Sequence, residues 1–233
     1  MNMRMPLGAS LAIAVAASAQ GAMTGNAYEV GYAWSGTDFG GAAVSGYVVD
    51  LYLELDLSDV LLNVYNFNDV NVGTSYFQGI TAPGWTPNNQ GSIFETDAVL
   101  YMDSFVTIGG TGALSTNPLQ FAGNGVSLDP NFGSATGAGP EANAGWYNGN
   151  PNNAIGQAID LSGVGLTGKA GVFIGRFSIQ GSDGFSMVGT TGSATFNQGL
   201  GTPGVQDNFA VVVPAPGAIA LLGLAGLASR RRR

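Results

Sequence analysis

Three carboxylates in the run "YVVDLYLELDL", Asp50, Glu54 and Asp56, share one parity of an alternating pattern. On a strand, residues two apart stand about 7 Å from each other. That lies within the roughly 5–9.5 Å that two carboxylates need to flank a glycosidic bond. Any acidic amphipathic strand would give the same spacing. A solvated face is therefore the reading taken for these acids, and no catalytic residue is assigned.

Sugar binding asks for flat aromatic faces beside amides. Trp85 stands in the loop-like "GITAPGWTPNNQGS" (79–92). Trp146 and Tyr147 stand in "GSATGAGPEANAGWYNGNPNNAIG" (133–156), followed by Asn148, Asn150 and Asn152. These aromatics are the candidate ligand-binding residues. The competing role for Trp85 and Trp146 is to anchor long loops by burying their rings. Calcium asks for six to eight oxygens. Asn66, Asn68, Asp69 and Asn71 supply some, but no run matches a calcium-loop pattern, and turn-forming asparagine explains the same residues. No cofactor is expected, with a structural Ca²⁺ left open and its place unassigned. The glycines of "GGTGALS" (109–115) lack the lysine of a phosphate loop and read as turns.

Other chemistry is excluded by absence. The chain has no cysteine and no histidine, so no Ser-His-Asp triad, Cys-His pair or histidine metal site can be assembled. Fifteen acids lie between Glu29 and Asp207, against Lys169 and Arg176 alone. That interval carries a net charge of −13. Such a field repels phosphate backbones, so nucleic acid is excluded as a partner.

The elements that must position these residues are strands. In "YVVDLYLELDL", Val49, Leu51, Leu53, Leu55 and Leu57 occupy the other parity, which predicts a strand with one buried and one wet face. "VLLNVYNF" follows the turn-prone Ser58-Asp59 and is expected to complete a hairpin, with a bulge near Val64-Tyr65. Further strands are expected at Tyr28–Trp34, Ile93–Met102, Ser104–Ile108, Val172–Ile179, Phe185–Val188, Ala194–Asn197 and Asn208–Val213. In "GVFIGRFSI", Phe173, Phe177 and Ile179 share one parity and Val172, Ile174 and Arg176 the other, as on a central strand covered on both faces. Ala154–Leu161 is expected to form a short helix. Short strands between Gly, Asn and Pro turns predict an all-β fold, an antiparallel sandwich of jelly-roll type. In architecture this resembles the cohesin-like and carbohydrate-binding sandwiches of secreted proteins.

The two ends read as sorting segments. "MNMRMPLGASLAIAVAASAQGAM" has one basic residue, Arg4, an apolar stretch from Leu7 and the small-residue site Ala17-Ser18-Ala19. Residues 1–22 are expected to be a secretory signal peptide, cleaved after Ala19 or Ala22. Residues 23–212 form the exported domain. At the other end, the fourteen residues Ala215–Ala228 carry no charge and Arg230, Arg231, Arg232 and Arg233 follow. A helix of that length reaches about 21 Å. It spans a bilayer of about 30 Å only with local thinning and snorkelling arginines, and the cluster then acts as a cytoplasmic stop.

Pro214-Ala215-Pro216, an apolar helix containing "LLGLAGLA" and a terminal arginine cluster resemble the PEP-CTERM protein-sorting signal. The resemblance is confined to residues 213–233, and Ala215 stands where the family has Glu. It implies export, transient membrane anchoring, processing by an exosortase-like enzyme, and association with the cell surface or exopolysaccharide. The expected function is thus a non-enzymatic surface or matrix protein of the envelope or extracellular space. A carbohydrate-binding module is the second reading, and a secreted carboxylate hydrolase the third.

Overall fold

A computed structural model describes residues 25–38, 40–78, 101–109, 126–129, 139–150 and 154–213. The expected signal peptide, Trp85, the Pro214–Pro216 motif, the apolar tail and Arg230–Arg233 lie outside the described residues. Among those described, no helix is long and apolar enough to cross a membrane.

The described chain is all-β. Its strands are β1 (Asn26–Thr37), β2 (Ala43–Glu54), β3 (Val60–Asn68), β4 (Phe105–Val106), β5 (Val126–Leu128), β6 (Ala144–Asn148), β7 (Ile159–Asp160), β8 (Ala170–Gln180), β9 (Thr191–Asn197) and β10 (Gly204–Val212). They join one ten-stranded sheet in the order β4-β8-β2-β1-β10-β9-β3-β6-β5, with β7 also on β8. The sheet is mixed rather than wholly antiparallel: β1 and β10, the first and last strands, run parallel.

The sheet is rolled. β8 and β3 are five steps apart in strand order. On a flat sheet, at about 4.8 Å per step, they would be some 24 Å apart. Yet the rings of Phe177 on β8 and Phe67 on β3 stack with centroids 5.9 Å apart and planes 8° from parallel. The two halves therefore face each other across a shared core of Val49, Leu51, Leu53, Leu61, Val64, Ile174 and Phe196. The far ends of the strand order also meet: Trp146 Nε1 on β6 donates to the Thr107 carbonyl, just after β4, at 2.7 Å. Gly109 (φ +87°) lies in the same seam, where a Cβ would run into the Ile155 carbonyl.

Alternation on β2 places Val49, Leu51, Leu53 and Leu55 in the core as expected, while Leu57 is exposed. The expected β2–β3 hairpin does not form. β2 pairs with β1 and β8, and β3 with β9 and β6. The Ser58-Asp59 turn carries the chain across the roll instead. Other segments hold it there: Leu55 N–H donates to Ala170 O at 3.1 Å and Ala158 N–H to Asp59 O at 3.0 Å. The bulge on β3 is present. Registers to β6 and β9 both shift around Asn66, whose φ is +51°.

β8 is buried on both faces, as a central strand should be. It is also bulged: Leu51 faces Gly175 while Tyr52 faces Phe173, leaving Ile174 as the extra residue. The bulge regroups the expected parity. Val172 and Ile174 join Phe177 in the core, while Phe173 belongs to a second cluster with Tyr28, Tyr52, Phe105, Leu161 and Leu166 on the opposite face.

Other expectations are corrected. Phe185–Val188 is not a strand; it is pinned across β1 by Glu29, which accepts from Ser186 Oγ (2.7 Å) and Met187 N–H (2.6 Å). Only Tyr101 and Met102 of the expected strand Ile93–Met102 are described, and they are helical. Ala154–Leu161 is a turn leading into β7 rather than a helix. Trp146 and Tyr147 lie on a strand, β6, held between β3 and β5.

Candidate functional site

The polar parity of β2 is the place where carboxylates gather, and its geometry differs from the solvated face expected of it. Asp50 is fully buried. It stands directly opposite Arg176 of β8. Arg176 donates through Nε to Asp50 Oδ1 at 2.7 Å and through Nη2 to Oδ2 at 3.0 Å. The third arm of the guanidinium, Nη1, reaches the Tyr101 carbonyl at 3.2 Å. Tyr32 donates its hydroxyl to Asp50 Oδ2 at 3.3 Å. The Phe105 ring lies 5.6 Å from the guanidinium carbon. Burial works against the guanidinium charge, but the facing carboxylate outweighs it and holds the Arg176 pKa up.

Four residues along, Glu54 is similarly engaged. Lys169 Nζ reaches Glu54 Oε1 at 2.8 Å. Tyr28 Oη and Asn26 Nδ2 donate to Oε2 at 2.7 and 3.1 Å. The Lys169 ammonium also sits 5.1 Å from the Tyr28 ring centre. The hydrogen bond to Glu54 is the main reason the Lys169 pKa is pushed up to about 12. Asp56, the third acid of the run, is exposed. The two basic residues of the acidic interval are thus each matched to one β2 carboxylate. The sequence carried a hint of this, since a core acid in so acidic a chain has only Lys169 and Arg176 to choose from.

This arrangement suits cohesion. Asp50 accepts two guanidinium hydrogen bonds and one from a tyrosine in a dry setting, and Glu54 accepts three donors. Both carboxylates are thus engaged by partners within the sheet.

The aromatic candidates separate by face. Trp146 is 1% exposed, its ring against Phe67 at 5.3 Å and its N–H on Thr107 O. That is the anchoring role. Tyr147, the next residue, points the other way and is 43% exposed. Asn148 is buried and accepts from Asn150 N–H at 2.9 Å, closing an Asx turn. Trp146 and Tyr147 therefore share no platform, and Trp85 lies outside the described residues.

The asparagine-rich span around β3 builds turns. Asn68 Nδ2 donates to Asn66 O at 2.8 Å, Asn71 N–H to Asp69 Oδ1 at 2.8 Å, and Asn71 Nδ2 to Ser186 O at 2.9 Å. Tyr76 donates to the other Asp69 oxygen. Among the described residues no group of three or more His, Cys, Asp or Glu is arranged to hold a metal ion.

Comparison with protein-family models, with curated proteins and with solved structures finds no match for this chain.

Proposed function

We propose that the chain is an exported, non-enzymatic protein of the cell surface or extracellular matrix. Its rolled sheet serves as a two-layered, sandwich-like scaffold of jelly-roll or cohesin-like kind. Its ends direct it: the N-terminal segment to export, the C-terminal segment to transient anchoring and removal by an exosortase-like enzyme. The observation that carries this reading is the order of parts at the end of the chain: Pro214-Ala215-Pro216, thirteen further uncharged residues, then four arginines. Lys and Arg are held on the cytoplasmic side of a membrane, so such a tail leaves the preceding domain outside. The inward commitment of Asp50, Glu54 and Trp146 supports a scaffold over a hydrolase. Arg230–Arg233→Ala tests the sorting step. We expect loss of retention or a changed mature mass; wild-type localisation and mass in the variant would refute it.

One observation favours the second reading, a carbohydrate-binding module: the exposed ring of Tyr147 on β6. Stacking on a sugar there would be lost in Tyr147→Ala. A glycan array read with both proteins decides it, since retention equal in the two removes Tyr147 from any sugar site.

A further inference from the structure

Two tyrosines come together on the outer face where β3 meets β6. Trp146 points into the core, so its neighbours on β6, Gly145 and Tyr147, point outward, and Tyr147 is 43% exposed. On β3, Val64 and Phe67 point inward. Val64 pairs with Trp146 and Phe67 with Ala144, so the bulged residues Tyr65 and Asn66 together face Gly145. Tyr65 is thus the diagonal neighbour of Tyr147 on the outer face, about 7–8 Å away along the backbone.

A carboxylate is held beside them. Asp129 directly follows β5, and its N–H donates to the Gly145 carbonyl at 2.9 Å. Its Oδ2 lies over Gly145, where the first atom of any side chain would sit. Glycine at 145 is therefore what lets the carboxylate rest on the sheet at this point. The other outward residues are neutral. Ser127 and Asn63 flank Tyr147 in register, and Ser193 pairs with Tyr65. Asn63 is committed to the sheet, its Oδ1 accepting from Thr195 N–H at 2.9 Å. Tyr65, Ser127 and Asp129 are half-buried.

We propose that Tyr147, Asp129 and Tyr65 form one site for a neutral polysaccharide chain. The inference rests on the carbohydrate-binding reading of Tyr147, and adds to it two residues and a class of glycan. Each tyrosine offers a flat apolar ring with a hydroxyl at its tip, and neighbouring sugars of one chain can lie over both. The carboxylate beside them accepts hydrogen bonds from sugar hydroxyls, and its charge strengthens them. The same chemistry selects the class. An acidic glycan would bring its own negative charge against Asp129, within an interval of net charge −13. One carboxylate serves a pair of hydroxyls but is a weak anchor for a polycation. A protein partner wants an apolar centre, and none of the outward residues named here is aliphatic.

An array of glucan, mannan, galactan, alginate and chitosan, probed with the full chain in nonionic detergent, tests this. Titration calorimetry then follows with the neutral polymer retained. Tyr65→Ala and Asp129→Asn should each weaken that binding at least about tenfold. Tyr65→Phe keeps the ring and should bind within about twofold of wild type. Far-UV dichroism checks each fold, and the near-isosteric Asp129→Asn carries the test if Tyr65→Ala misfolds. Binding lost in Tyr147→Ala but kept in both Tyr65→Ala and Asp129→Asn would overturn this inference and leave the carbohydrate-binding reading standing. Retention that depends on Tyr147 but is confined to alginate or chitosan would overturn the class of glycan in the same way. A wild-type chain that retains none of the five polymers would overturn both.

Discussion

Asp50 and Arg176 face each other across β2 and β8, both almost wholly buried and joined by two hydrogen bonds of 2.7 and 3.0 Å. Taking two charges out of water is costly, and the pair recovers that cost only while both members are present. We predict that Asp50→Ala or Arg176→Ala lowers stability by about 3–5 kcal/mol in urea denaturation. The double variant Asp50→Leu/Arg176→Met should recover most of the loss. Two single losses that simply add would show that the residues do not act as a pair.

Alkaline pH should unfold the domain through the groups that keep their protons when folded. Burial raises the hydroxyl pKa of Tyr32 and Tyr76, and the neighbouring Asp50 and Asp69 raise it further. Lys169 is pushed up to about 12. The unfolded chain releases these protons near the ordinary values of 10.0 and 10.5. The stability linked to them is complete below that range and is lost as pH rises through the folded values. The urea midpoint should hold steady from about pH 8 to 9.5 and fall above about pH 10. Lys169→Met should flatten only the part approaching pH 12, by no more than about 1 kcal/mol, since the ammonium is partly solvated. A midpoint that rises above pH 10 would contradict this.

Trp146 closes the seam between the two ends of the strand order. Trp146→Ala should cost about 3–5 kcal/mol. Trp146→Phe keeps much of the ring burial but leaves the Thr107 carbonyl without its indole donor, at a cost of about 1–3 kcal/mol. Amide exchange in residues 105–109 should accelerate in both. Tyr147→Ala, one residue away on the outer face, should change stability by less than about 0.5 kcal/mol. Equal losses at 146 and 147 would refute the division of faces.

The left-handed backbone at Asn66 favours asparagine or glycine. Asn66→Ala should destabilise by about 1–2 kcal/mol, and Asn66→Gly by much less. Calorimetry on the two variants separates them. An alanine variant as stable as the glycine one would place the β3 bulge elsewhere.

Legibility followed the range of the interactions. The core face of β2 could be read directly, because alternation is local: Val49, Leu51, Leu53 and Leu55 point inward wherever the strand is placed. A bulge near Val64-Tyr65 is legible as a break in the parity of "VLLNVYNF", and the structure centres it on Asn66. The other face of β2 could not be read, because what covers Asp50 comes from residue 176, more than a hundred positions away. The bulge at Ile174 then moved Phe173 and Val172 to faces opposite to those their spacing implied. A turn at Ser58-Asp59 was legible, but its destination was not. A tight turn more often joins neighbours, and here contacts from Ala158 and Ala170 send the chain across the roll. β5 and β7 are three and two residues long and carry no period of their own. Of the candidate residues, spacing could group Trp146 with Tyr147, whereas strand pairing sends them to opposite faces.

Cell fractionation followed by intact-mass measurement of the purified protein shows where the mature protein resides and what remains of its ends. We predict a chain outside the cytosol that begins after Ala19 or Ala22 and lacks the segment following Pro214–Pro216. A full-length chain in the cytosol, with Met1 and Arg233 both present, would contradict it.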